Sequence, residues 1–336
     1  MLMTGVVVTM GPAINSEAQL IKCYKQGVRI LRFNFPHYNK ESVKKELITI
    51  RKVEKKLWVK FQLVVDTAWP QVRTGVLKEP IEYAVREKFR IVAKESKRGD
   101  RDLLCDYSSL IKDAKIGTII KIDSGLFEVK VIQKWSESLV VQAINSFVVW
   151  SRRHINTPGV HYKLPTLSKK DYDDITFAIK NRFTHIAVSF TRSEKEIQKL
   201  RKFLSKNKAS QIKIIAKIEN QEGIDNLQKI IDVSDMIMVA RGDLWAELPV
   251  ETIPVHQMNI INSCKIKNTP VIVATQMLES MISNPVPTRA EVSDIFYAVR
   301  EGAEYVMLSW ETAIWLYPLA CIKVMNKVIS EAQKYK

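Results

Sequence analysis

Ile214-Ile215-Ala216-Lys217-Ile218-Glu219-Asn220-Gln221-Glu222-Gly223 is the stretch on which the fold turns. An apolar run that ends by alternating Lys217 with Glu219 reads as a buried parallel strand whose last residues leave the core, since only a strand's end can hold charge in a pocket. Period two puts both side chains on one face. A cation and a carboxylate held side by side at a strand mouth suit a site that binds a metal and neutralises charge developing on an oxyanion or phosphoryl group. Taken alone, they suit an ordinary strand-end ion pair equally well. Met236-Ile237-Met238-Val239-Ala240-Arg241-Gly242-Asp243 repeats the design, so two strand mouths supply Glu219 and Asp243. Pro270 to Gln276 gives a third strand, ending in the Thr275 hydroxyl, and Tyr305 to Ser309 a fourth. This regular strand, loop and helix alternation predicts an α/β fold, a (β/α)8 TIM barrel, with its chemistry at the C-terminal rim.

Towards the N-terminus the alternation starts with a strand over Val6 to Met10 and a helix capped by Ser16 that runs to Gly27, a C′ glycine. Strand two, Ile30 to Phe35, ends in Arg32, Asn34 and His37, where a guanidinium fork suits a phosphate. A helix over about 40 to 57 lines up Val43, Leu47, Ile50 and Val53, and a third strand, Gln62 to Val65, ends in Asp66-Thr67. From Pro70 to about Pro158 the pattern breaks into short β segments. Among them are Thr118 to Leu126, with Asp123-Ser124-Gly125 as a tight turn, and Ser138 to Gln142. The expected organisation is a barrel from 1–69 and 158–336, with a β-rich, barrel-like lid over 70–157 inserted after the third strand. The alternation resumes with a helix from Ser168 to about Lys180, a strand over His185 to Phe190 and a helix over 193–205; a last helix follows Pro318.

The 336 residues can bury a large core, and 46% hydrophobic with 26% charged residues excludes a disordered chain. No apolar run reaches the length of a membrane span. Residues 5–8 are apolar, but Gly11-Pro12 follows at once and no basic segment precedes them, so they read as a first strand and not a signal peptide. Cys23, Cys105, Cys264 and Cys321 are scattered without a CxxC pair, which favours free thiols in a reducing cytoplasm. The formal charge of +16 raises the question of a nucleic-acid partner. Lys44, Lys45, Lys52, Lys55 and Lys56 interleave with Glu41, Glu46 and Glu54, however, which is the pattern of a solvated helix face, and no nucleic-acid partner is expected.

Several ordered segments carry a resemblance: Thr9-Met10-Gly11-Pro12-Ala13, Arg32-Phe33-Asn34-Phe35, Arg73-Thr74-Gly75, Ile215 to Asn220, Val239 to Leu244, Ala274 to Met281, and Asn284-Pro285-Val286-Pro287-Thr288-Arg289-Ala290-Glu291. With them the chain resembles the pyruvate kinases along nearly its full length. The resemblance implies a catalytic barrel with a lid, without the C-terminal regulatory domain common in that family, and transfer of the phosphoryl group of phosphoenolpyruvate to ADP. It implies that Glu219 and Asp243 hold Mg2+ or Mn2+, and that Lys217 stabilises the transferring phosphoryl and the enolate. It makes Arg32 a phosphate-binding arginine, and sets Thr275 near the carbon that is protonated. Ala240, Arg241, Gly242 and Asp243 would receive the substrate carboxylate on backbone N–H groups. Asn34, His37, Arg73 and Arg153 would contact the nucleotide, and association through the late barrel helices is expected. A K+ site would fall to Asn34, Asp66 and Thr67. Here the chain departs from the family, because Pro36 removes a hydroxyl ligand, Gln71 replaces an acid and Ala68 removes a positive charge, so potassium is expected to matter little.

A second group of departures has a pattern. Trp69, Trp245, Trp310, Trp315, Trp150 and, on weaker correspondence, Trp58 and Trp135 fall where the resemblance implies glycine, and the chain has no other tryptophan. Glycine itself numbers only 11 in 336, about half its usual share of roughly 7%. Drift is one reading; UGA codons that mean glycine are the other. Two further functional readings stay open. One is another phosphoenolpyruvate- or pyruvate-binding barrel such as a lyase, against which the lid residues Arg153 and Asn156 speak. The other is a catalytically impaired barrel kept as a binding protein, which rests on Pro36, Ala68 and the tryptophans.

Overall fold

The computed structural model describes residues 4–68, 71–160, 162–165, 167–314 and 316–335, and for His37 the backbone alone. The chain opens with three strands rich in β-branched residues, β1 (Gly5–Thr9), β2 (Ile30–Asn34) and β3 (Gln62–Asp66). It then forms β4 (Ile81–Tyr83), β5 (Lys88–Val92), β6 (Leu103–Leu104), β7 (Ile119–Ile122), β8 (Phe127–Lys134), β9 (Ser138–Ala143), β10 (Phe147–Val149) and β11 (Ile155–Asn156). The α/β alternation returns with β12 (His185–Val188), β13 (Lys213–Ile218), β14 (Met236–Ala240), β15 (Val271–Ala274) and β16 (Tyr305–Leu308). Eight strands close into a parallel barrel in the order β1-β16-β15-β14-β13-β12-β3-β2. The expected (β/α)8 barrel is therefore present.

Alternation along each strand builds two cores. Val7, Ile30, Val64, Ile215, Met238 and Ile272 fill the barrel interior, whereas their neighbours, such as Val8, Leu31, Leu63, Ile214 and Val273, pack outwards against the helices. Each such fully buried aliphatic side chain contributes about 1.5–3 kcal/mol relative to exposure. The helix Lys40–Leu57 shows why the outer layer forms. Asn39 caps it by accepting from Ser42 N at 2.7 Å, and Val43, Leu47, Ile50 and Val53 form its buried stripe. The helix Lys169–Lys180 starts with a capping box between Ser168 and Asp171. Asp171 also accepts from Ala68 N at 3.1 Å, which ties the chain leaving β3 to the next helix.

Between β3 and that helix, strands β4 to β11 form a six-stranded sheet in the order β11-β7-β8-β9-β5-β6 and a separate β10-β4 pair. They enclose their own core, in which Tyr83, Phe89 and Phe127 stack. The tight turn expected at Asp123-Ser124-Gly125 is present: β7 stops at Ile122 and β8 starts at Phe127, and the three residues between take φ of 56°, 58° and 87°. The strand expected to run to Phe190 also ends early, at Val188. There Ser189 turns its hydroxyl onto the Thr67 carbonyl at 3.0 Å and Phe190 adopts φ 49°.

Candidate active site

The rim cluster grows out of β2, β3, β12 and β13. Lys217 lies in β13 and Glu219 just beyond its end, so both side chains leave the same face. The ammonium Nζ sits 2.9 Å from Glu219 Oε1, 3.1 Å from Asp66 Oδ1 and 2.8 Å from Ser189 Oγ. Arg32, from β2, donates through Nε to Asp66 Oδ2 at 2.8 Å, holds the same oxygen through NH2 at 2.6 Å, and donates from NH1 to Thr9 Oγ1 at 3.1 Å. All four charged groups are buried. Burial alone would raise Asp66, but Lys217 and Arg32 outweigh it and hold the carboxyl below its ordinary range. Burial likewise works against charge on Lys217, yet Asp66, Glu219 and Asp243 together hold its ammonium well above the usual lysine value.

Glu219 is the exception. Burial pushes its carboxyl upwards against the pull of Lys217, and the charge of Asp243 adds to the push. One oxygen accepts from Phe190 N–H, while Oε1 faces the Lys217 ammonium at 2.9 Å. Two cations thus face three carboxylates, Asp66, Glu219 and Asp243. That is the donor set of a hard cation. No group of three or more His, Cys, Asp or Glu able to hold a metal occurs among the described residues. Two carboxylates nonetheless suit Mg2+, which keeps waters and takes its remaining ligands from substrate phosphates.

The opposite wall comes from β14 and β15. Ala240 ends β14 and leads into the helix Arg241–Glu247, whose first turn carries Asp243. The Arg241 side chain is committed elsewhere: NH1 pairs with Asp294 at 2.6 Å, and NH2 donates to the Thr275 carbonyl. Only its backbone faces the site's chemistry. Thr275 follows β15 at φ 71° and Gln276 at φ 53°, a strained conformation for a β-branched residue. Its hydroxyl donates to Ala274 O at 2.6 Å and accepts from Gly242 N–H at 2.8 Å, so Thr275 fixes the backbone of the turn that bears Asp243.

From the lid, Arg73 donates to Arg152 O at 2.8 Å and to Gln71, and it lies close enough to feel the charge of Asp243. Arg153 pairs loosely with Asp123 at 3.5 Å and leaves a buried Nε without a hydrogen-bond partner. Asn34 ends β2 opposite Asp66. The His37 side chain lies outside the described residues. Of the groups named for K+, both Asp66 oxygens are engaged by Arg32, Lys217 and Ser189, and the Thr67 carbonyl accepts from the Ser189 hydroxyl.

Sequence reasoning missed three groups. Ser189 sits at the centre of the cluster, and the signal that found Thr275, a hydroxyl at the end of an apolar strand, would have found it. The Phe190 N–H that orients Glu219 carries no side-chain signal. Glu247, one turn beyond Asp243, accepts from Asn156 Nδ2 at 2.7 Å, and burial raises its carboxyl. Both residues line a cavity of about 160 Å³, together with Gln71 and Ile155 of the lid and Phe190 and Asn220 of the barrel.

A family model for the barrel domain of pyruvate kinase matches residues 1–322. The chain is 40% identical to a pyruvate kinase of Staphylococcus haemolyticus and 41% identical to one of Staphylococcus epidermidis, in each case over 99% of this chain and 58% of the relative. It therefore spans just under three fifths of those relatives' length. A solved structure of a pyruvate kinase from Cryptosporidium parvum superposes with a TM-score of 0.95 at 37% identity, covering 99% of this chain and 69% of that one. Match, identity and superposition agree, and the chain belongs to the pyruvate kinase family.

Proposed function

We propose that this chain transfers the phosphoryl group of phosphoenolpyruvate to ADP, giving pyruvate and ATP. The observation that carries this reading is the buried rim cluster. Lys217 is held between Asp66, Ser189 and Glu219, and the charge of Asp243 acts on both Lys217 and Glu219. Glu219 and Asp243 would hold a divalent cation, Mg2+ or Mn2+, which would neutralise charge on the phosphate groups.

The protein's own groups then have distinct tasks. Arg32, fixed by Asp66, binds the phosphoryl oxygens. Lys217 faces the bond between phosphorus and the enol oxygen; as that bond breaks and one forms to the terminal phosphate oxygen of ADP, its ammonium stabilises the enolate left behind. The enolate then takes a proton at its methylene carbon, on the side of Thr275, through water. Backbone N–H groups around Gly242 and Asp243 hold the substrate carboxylate. Arg73 and Arg153 bring the lid onto the nucleotide, and Asn34 and His37 complete that contact. Crowding of Asp66 and Thr67 by protein partners supports a weak response to K+. The lid is assigned to 70–157 and the catalytic barrel to the remainder.

Among the described residues no helix is long and apolar enough to cross a membrane, and we assign the chain to the cytoplasm. Exposed Val255 and Met258 on the helix Ile253–Ile266 support self-association through the barrel helices, which sedimentation of the purified chain checks. The reaction is tested by adding phosphoenolpyruvate, ADP and Mg2+ and coupling pyruvate formation to NADH oxidation by lactate dehydrogenase. Metal-dependent pyruvate formation that Glu219→Gln abolishes is the expected result. A folded protein that forms no pyruvate would instead favour a catalytically impaired binding protein.

A further inference from the structure

The seven tryptophans are a feature that the proposed reaction does not use. Tryptophan is among the residues most buried on average, since it has the largest apolar body to remove from water. In this chain the rule is inverted. Trp58 is 94% exposed, Trp135 55%, Trp150 53%, Trp310 45% and Trp245 44%, and Trp69 and Trp315 lie outside the described residues. No described tryptophan belongs to a hydrophobic core. The phenylalanines are an internal control. All eleven are buried or half-buried, so the fold sorts large apolar rings normally, whereas all five described tryptophans are exposed.

Exposed indoles would be accounted for if they formed one sticky face, because contiguous apolar patches mark partner sites. They do not lie together in the fold. Trp58 closes a helix just before β3 begins, at the foot of the barrel. Trp245 and Trp310 follow β14 and β16 at the opposite, C-terminal rim. Trp135 sits in the β8–β9 hairpin loop, and Trp150 directly after β10 in the lid. No single partner surface contains all of them.

The backbone adds an independent observation. Trp58 has φ 55° and ψ 44° at the end of the helix Lys40–Leu57, and Val59 N–H returns to Glu54 O at 3.0 Å. That is the helix-ending geometry seen at Gly27, where Val28 N–H returns to Cys23 O, and at Gly302, where Ala303 N–H returns to Ala298 O. Asn268, Arg182 and Lys208 close helices in the same conformation, so a side chain there is tolerated and the backbone alone does not decide. A rigid bicyclic ring, fully solvated at such a position, has neither the local hydrogen bonding of Asn nor the flexible polar stem of Arg and Lys. Glycine fits without cost.

We infer that positions 58, 69, 135, 150, 245, 310 and 315 are glycine in the protein as its own cell makes it, each encoded by a UGA codon that the cell's translation system reads as glycine. The exposure of the five described positions then makes physical sense. Glycine needs no burial, it suits strand-to-helix turns at the rim and tight turns in the lid, and the shortage of glycine in the chain is relieved at the same stroke. Glycine at 245 and 310 also removes two large rings from the barrel end that must admit a ligand.

The inference is tested by reading the seven codons in the gene and sequencing the corresponding peptides, by tandem mass spectrometry, of protein isolated from its source cell. UGA at all seven positions with glycine in the peptides is expected. UGG at any of the seven positions overturns the inference, and so does an indole in the native peptides. Neither readout depends on enzymatic activity, so a failure here is distinct from a failure of the proposed reaction. As a physical check, Trp58→Gly in protein made with the written sequence should raise the melting temperature, whereas a lowered melting temperature would show that the indole makes a contact the fold needs.

Discussion

The two ends of the barrel are built from the same strands and treat polar groups in opposite ways. At the foot, where strands begin, polar side chains tie one strand to the next. Asp235 accepts from Ile214 N–H and from Arg201, each at 2.7 Å, Glu304 accepts from Val271 N–H at 2.8 Å, and Thr184 Oγ1 accepts from Leu63 N–H at 2.8 Å. These bonds pin the first or second residue of a strand. At the rim, where strands end, Arg32, Asp66, Lys217 and Glu219 are buried together beside the half-buried Asp243, and Phe190, Thr275 and Gln276 sit at positive φ. Positive φ occurs at both ends, but at the foot it marks only helix-ending turns such as Trp58, Arg182, Lys208 and Asn268, whereas at the rim it accompanies buried charge, and an end that buries charge at a cost in stability is the one that binds and reacts.

The comparison is sharpened most by changing the rim. Glu219→Gln keeps the size of the side chain and removes its charge, and it should lower kcat/KM roughly a thousandfold with the melting temperature unchanged; turnover within tenfold of the parent would take Glu219 out of the site. Ser189→Ala removes a buried hydroxyl that holds Lys217, and kcat should fall about tenfold with a smaller effect on KM, since Lys217 keeps its charge but loses one fixed partner. A KM effect alone would make Ser189 a binding group instead.

Changes at the foot should do the reverse. Asp235→Ala leaves Ile214 N–H and Arg201 without their acceptor and should cost about 1–3 kcal/mol of stability, while turnover per folded molecule stays at the parental level; denaturant titration alongside initial rates checks both. The foot also sets an acid limit. Burial, with Lys213 adding to it, lowers His185 to about 4, so the folded chain refuses a proton that the unfolded chain takes up near about 6.5. Stability should therefore be full above that value and fall as pH drops through 6.5 towards 4, by at most about 3 kcal/mol. His185→Gln should flatten the profile over that window; an unchanged slope would assign the acid sensitivity to another group. The smallest effect expected is that of potassium. Exchanging a large inert cation for K+ should change turnover little, and a strong rise would show that Asn34, Asp66 and Thr67 can release their protein partners.

Much of this architecture is legible in the residues. The alternation of Lys217 and Glu219 after an apolar run could only mean a strand mouth, and the stripe of Val43, Leu47, Ile50 and Val53 marked a helix on the outer layer. The break after β3 was visible because short β segments and turn residues replaced the helical period. What stayed hidden was of two kinds. Backbone chemistry leaves no letter in the sequence, so the Phe190 N–H on Glu219 and the early end of β12 could not be read. Side-chain commitment was hidden as well: Arg241 stands beside Gly242 in the chain but spends its guanidinium on Asp294, and Asp66 is as central to the rim as Lys217 although only the contacts reveal it.

The central claim is that the buried Glu219 carboxylate at the rim, with Asp243 beside it, marks a cation site, whereas the carboxylates at the foot are structural. Mn2+ binding, followed by the loss of the free-ion signal in electron paramagnetic resonance, measures this directly on the parent, Glu219→Gln and Asp235→Asn. The account predicts that the parent and Asp235→Asn bind Mn2+ alike, more tightly when phosphoenolpyruvate is present, and that Glu219→Gln loses the binding. Equal binding by Glu219→Gln and the parent would contradict it.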